Sequence, residues 1–154
     1  MSGQSFKTMM SNRLRNLVAL HEGRVPYAYK DSLGYWTIGV GHLIDKARGG
    51  GLPEPIIDAL LDYDLNICSH EVAAFLPWTE NLDEARKAVL VDMAFNLGIG
   101  GLLGFKNTLA AIKEERWDDA AKGMLTSKWA GQVGKRAERL AEMMRLGEWP
   151  ANVE

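Results

Sequence analysis

Glu22, Asp31 and Thr37 fall within one run, HEGRVPYAYKDSLGYWTIGVGH. Two carboxylates nine positions apart flank a predicted β-hairpin, and a hydroxyl follows six positions later. An acid, a base and a group that positions water are what glycoside hydrolysis requires. A glycosidic oxygen leaves poorly unless it is protonated, so one carboxyl must stay neutral while the other stays ionised. Glu22 ends a predicted helix, where the negative pole of the helix dipole disfavours its anion. Asp31 opens a turn rich in backbone donors, where a carboxylate stays ionised and holds a water. A glutamate at a helix end and an aspartate opening a turn are also common structural features, so spacing alone leaves the structural reading open.

The elements that must position these groups are mostly helical. Met10, Leu14, Leu17, Val18 and His21 recur at helical spacing after a possible cap at Ser11, and Gly23 is a stop signal. Tyr27 to Lys30 and Tyr35 to Ile38 read as aromatic-rich strands around the turn Asp31 to Gly34. The glycine-rich stretch from Asp45 to Leu52 reads as a mobile loop. Pro53 and Pro55 prepare a helix start, and Ile57, Leu61, Leu65, Cys68, Val72 and Phe75 form one stripe until Pro77. Asn81 with Glu84 resembles a capping box, opening a helix that is apolar nearly all round and therefore central in a core. Glycines 98, 100, 101 and 104 are expected to break the chain before helices over Lys106 to Glu114, Asp118 to Leu125 and Lys135 to Leu146.

The 154 residues, 47% of them hydrophobic, suffice for one domain split into two lobes. A formal charge of −2 argues against nucleic acid as partner. Charge is uneven: seven basic against three acidic residues in 1–50, two against nine in 51–100, nine against eight thereafter. The positive segment carries the candidate catalytic groups and would favour an anionic polymer such as bacterial wall. One cysteine, Cys68, precludes an intrachain disulfide. The amino terminus lacks an apolar run of signal-peptide length and no segment is long enough to span a bilayer, so no stable membrane insertion is expected. Asp62, Asp64 and Asn66 mimic a calcium loop, but Ile67 stands at the glycine position and Ala73 where the bidentate glutamate belongs. His70 and Glu71 start a zinc-protease signature whose second histidine would fall at Ala74. Neither a metal nor another cofactor is expected.

The run from Glu22 to His42 resembles the active-site segment of the T-even type bacteriophage lysozymes, glycoside hydrolase family 24. That pattern is Glu, eight residues, Asp, five residues, Thr, then Ile-Gly-x-Gly-His, and Glu22, Asp31, Thr37, Ile38, Gly39, Gly41 and His42 match it. Phe95, Gly98, Gly104 and Phe105, then Arg116 to Asp118, Ala120, Ala121, Ser127 to Trp129, Gln132, Arg136 and Ala137 extend the resemblance into the carboxyl half. It implies a mainly helical α+β fold: a small N-terminal β-hairpin lobe over about 12–54, a long connecting helix over about 55–76, and a helical lobe over about 77–154 that includes the N-terminal helix. It implies an inverting muramidase acting on peptidoglycan, with Glu22 as general acid, Asp31 as base or electrostatic partner, and Thr37 placing the water. Gly41, Leu43, Phe95, Asn96, Thr108, Trp129 and Gln132 would line the substrate cleft, although Phe95 and Trp129 fit a core equally well. His42, paired with Asp64, would stabilise the fold, and Arg136 would face the catalytic glutamate and favour its anion, opposing the helix dipole.

The resemblance further implies a monomeric endolysin that accumulates in the host cytoplasm and reaches the wall through a holin. A lytic transglycosylase and a non-catalytic wall-binding protein of the same fold are the alternatives. Three features depart from the family pattern: an extra stretch before the first helix, a shorter and glycine-rich segment from Asp45 to Pro55, and Gly123 where some relatives carry an amide.

Overall fold

The computed structural model describes residues 12–151 and 153. Met10 and Ser11, expected to begin the first helix, lie outside the described residues. The chain divides into two compact units, Met1–Ile57 and Asp58–Glu154.

The first unit opens with α1 (Asn12–Glu22). Gly23 ends it in the left-handed conformation, φ 79°, while its amide donates to the Ala19 carbonyl at 2.8 Å; a residue with a Cβ would be strained there. Three antiparallel strands follow in spatial order β1 (Val25–Lys30), β2 (Trp36–Gly39) and β3 (His42–Leu43), one more than the expected hairpin. Tyr29 pairs with Thr37 and Lys30 with Trp36 across β1 and β2, and Thr37 pairs with Leu43 across β2 and β3. A bulge between Val25 and Tyr29 irregularises β1. The segment expected to be loop contains a 3-10 turn, Lys46–Arg48, whose first free amide, Ala47 N, donates to Asp45 Oδ1 at 2.8 Å. The capping aspartate orders a stretch that its glycines alone would leave irregular.

The second unit is helical: α2 (Glu54–Phe75), whose first turn straddles the division, then α3 (Glu84–Leu103), α4 (Lys106–Lys113), α5 (Trp117–Leu125), α6 (Lys128–Val133) and α7 (Lys135–Leu146). Its core gathers Val89, Leu90, Met93, Leu102, Ile112, Met124 and Met144, with Val72 from α2. Each such side chain stabilises by about 1.5–3 kcal/mol on burial. Within the stripe read on α2, Val72 alone is buried; Leu61 and Phe75 are exposed.

One expectation about α3 is corrected. Its cap is Asp83, whose Oδ1 accepts from Arg86 N at 2.9 Å, and not the pair Asn81 and Glu84. Asn81 instead ends a 3-10 turn, Pro77–Asn81. The glycines break the helix as expected at Gly98, which leaves helical geometry at φ 76° and ψ 160°, and at Gly104, which caps its end; between them Gly100 and Gly101 lie in a short helical stretch that continues to Leu103. Leu102, buried in the core, holds that last turn in place. The short helix α6 was not foreseen; its signal is Ser127, which accepts from Ala130 N as cap.

Candidate active site

Glu22, Asp31 and Thr37 all lie in the first unit. Glu22 is exposed at the end of α1, and its carboxyl passes over Gly41. A Cβ on Gly41 would stand 2.9 Å from Glu22 Oε2 and 3.0 Å from Cδ, and the backbone there has φ 69°. The second glycine of Ile-Gly-x-Gly-His is therefore required twice, by its conformation and by the space its missing side chain leaves for the carboxyl.

Asp31 is held by the turn it opens. Its Oδ1 accepts from Leu33 N at 2.9 Å and from Tyr35 N at 2.8 Å, while its own amide donates to the Tyr35 carbonyl at 2.9 Å. Oδ2 has no hydrogen-bond partner among the described residues. Thr37 is 3% exposed on β2, and its hydroxyl donates to the Tyr35 carbonyl at 2.9 Å. The single hydroxyl proton is thus committed, and what Oγ1 presents to any further group is acceptor character. Both side chains hang on the backbone of Tyr35, one through its N–H and one through its C=O. Tyr35 was passed over in the sequence; its aromatic neighbour pair Tyr-Trp was read only as strand, and nothing in a side chain announces a backbone role.

His42 Nε2 lies 2.5 Å from the Gly51 carbonyl, so β3 is tied to the loop that follows the 3-10 turn. The same loop returns a second bond, Gly51 N to the Leu43 carbonyl at 3.1 Å. Leu43 is half-buried beside Thr37 in the sheet.

The remaining candidates lie in the second unit. Trp129 is 4% exposed; its indole N–H donates to Asn96 Oδ1 at 2.8 Å and its ring meets Phe105 edge to face. Thr108 is buried, and a Cβ on Gly123 would fall 2.5 Å from its Oγ1, so glycine rather than an amide fits against this threonine. Gln132 is exposed on α6. Phe95 and Arg136 line a cavity of about 550 Å³ within the second unit with Leu61, Leu65, Val91 and Trp149. Arg136 is paired: its Nε donates to Asp92 Oδ1 at 2.9 Å, and its Nη2 lies 2.8 Å from the same oxygen. Its charge therefore comes with a counter-charge, which weakens any field it exerts beyond that pair. Asp64 lies on the exposed surface of α2.

The phage lysozyme family profile matches residues 19–145, which includes all three candidate catalytic positions. The chain is 30% identical over 164 aligned positions to the probable T4-type lysozyme 1 of Dictyostelium discoideum, spanning 90% of this chain and 96% of that protein. It is 28% identical to the pre-baseplate central spike protein Gp5 of Enterobacteria phage T4, over 82% of this chain and 26% of that protein. It is 31% identical to the peptidoglycan hydrolase gp36 of Pseudomonas phage phiKMV, over 76% of this chain and 13% of that protein. The chain is a glycoside hydrolase and belongs to the phage lysozyme family.

Proposed function

We propose that the protein is a muramidase that hydrolyses the β-1,4 bond between N-acetylmuramic acid and N-acetylglucosamine in peptidoglycan, with inversion at the anomeric carbon. The observation that carries this reading is the division of acceptors around Tyr35. An attacking water has two protons, one to be taken by a base and one to be held. Asp31 Oδ2 is free to take the first, and Thr37 Oγ1, whose own proton is committed to Tyr35, is free to accept the second. The water's lone pair is then left for the sugar. Glu22 protonates the departing oxygen from the other side, and its conformation depends on Gly41. Inversion in general calls for carboxyls about 6.5–9.5 Å apart, enough for a water between them.

Within this reading the protein is a monomeric phage-type endolysin of the host cytoplasm that needs a holin to reach the wall. The test is loss of turbidity of permeabilised Gram-negative cells with the native protein and with Glu22→Gln. Lysis is expected from the native protein, and a fall of about 10²-fold or more from the variant, the range of a general-acid contribution. Equal lysis by both would remove Glu22 from its role, and no lysis by either would favour a wall-binding protein of the same fold. Digest products ending in 1,6-anhydromuramic acid would identify a lytic transglycosylase instead, and NMR of the first-formed anomer decides inversion.

A further inference from the structure

The side chain of Tyr35 carries a cation. The Arg48 guanidinium lies 4.1 Å from the centre of its ring, within cation–π range. The 3-10 turn fixes that placement: Asp45 caps its start and Gly49 closes it in the left-handed conformation, φ 73°. Arg48 has no ion-pair partner among the described residues, whereas Arg86, Arg116, Arg136 and Arg145 each have a carboxylate. Its guanidinium N–H groups make no hydrogen bond among the described residues. They form a planar fork matched to a carboxylate.

Its position is constrained by the backbone already described. The Tyr35 N–H and C=O hold Asp31 Oδ1 and the Thr37 hydroxyl. The ring that carries the guanidinium thus belongs to the residue whose backbone holds both groups that would bind the water. Lys30, whose ammonium lies 5.3 Å from the centre of the Trp36 ring, pairs with Trp36 across the strands and serves as the contrast. Peptidoglycan carries carboxylates on the peptide stems attached to muramic acid, next to the bond to be cleaved. Resting on the muramidase reading above, we propose that Arg48, held over the Tyr35 ring, forms a subsite for a stem-peptide carboxylate and selects substrate by that charge.

The test compares solubilised Gram-negative peptidoglycan with the same material amidated by carbodiimide and methylamine, following new reducing ends. The native protein should show a KM about tenfold higher on the amidated material, the range of one charge-assisted hydrogen bond, with kcat little changed. Arg48→Gln should raise KM on untreated material to that level and add nothing on amidated material. Lys30→Gln should discriminate as the native protein does, and Tyr35→Leu should discriminate less than Tyr35→Phe, which keeps the ring. Equal KM for the native protein on both materials overturns the subsite whatever the variants do. So does an Arg48→Gln protein that still discriminates. No reducing ends from either material overturns the muramidase reading, and the subsite with it.

Discussion

At Asp31 the two carboxylate oxygens have separate tasks. Oδ1 builds the turn through Leu33 N and Tyr35 N, and Oδ2 is open. An asparagine keeps the carbonyl oxygen that accepts those two bonds and loses the charge. Asp31→Asn should therefore melt within about 1 kcal/mol of the native protein while losing about 10²- to 10⁴-fold in kcat, measured by thermal unfolding and wall lysis. Gly41→Ala tests the other carboxyl. Its methyl group meets Glu22 Oε2 at 2.9 Å, so the carboxyl must move, and the left-handed backbone adds strain of about 1–2 kcal/mol. Activity should fall further than stability explains, and Glu22 should lose the orientation that the proposed proton transfer needs. The spacing of Glu22, Asp31 and Thr37 was legible in the sequence. The close approach at Gly41 and the double use of Tyr35 were not, because both depend on a backbone path that residue types alone do not specify.

Among the elements, α7 depends on one side chain from α3. Arg86 donates from Nε to the Met144 carbonyl at 2.7 Å and from Nη2 to the Arg145 carbonyl at 3.0 Å, satisfying carbonyls that a helix end leaves open. Its guanidinium also stacks 3.7 Å from the Trp117 ring and pairs with Asp83, the cap of its own helix. Arg86→Ala should destabilise by about 2–4 kcal/mol, and Arg86→Lys should recover less than half, since one ammonium cannot bond both carbonyls and stack. Chemical denaturation of both variants checks this. The pair Arg136 and Asp92 is different, with side chains 37% and 40% exposed. Water screens it, and Asp92→Asn should change stability by less than about 1 kcal/mol. Helix existence was legible from periodicity for α1, α2 and α3, and from the segments between glycines for α4, α5 and α7. The short helical stretch between Gly98 and Gly104 was not, because the burial of Leu102 offsets the local cost of its glycines.

Across the whole molecule, buried apolar side chains are concentrated in one unit. Every buried hydrophobic residue among those described lies between Val72 and Met144, and in the first unit the buried side chain is the polar Thr37. Amide exchange should accordingly be slowest in α3, α4, α5 and α7, and fast through α1 and the sheet, as expected where few apolar contacts hold the backbone bonds. Uniformly slow exchange from α1 to α7 would contradict this. Cys68 provides a second probe. Burial, with Glu71 and then Asp64 nearby, pushes its thiol above the usual range. The thiolate is the reactive form, so alkylation at pH 8 should be several-fold slower in the native protein than in urea, with the difference narrowing as pH rises.

The order and spacing of chemical groups are properties of the chain, and these alone determined the mainly helical α+β class, the family and the three candidate catalytic positions. Helical periodicity and turn residues act over a few positions, so they too survive in one dimension. Tertiary structure decided which atoms of those groups are free. The Thr37 hydroxyl gives its proton to the Tyr35 carbonyl, Arg136 shares its charge with Asp92, and Arg48 lies over the Tyr35 ring. Hydrogen bonds and ion pairs depend on distance and direction between atoms that folding brings together, and no spacing along the chain encodes them.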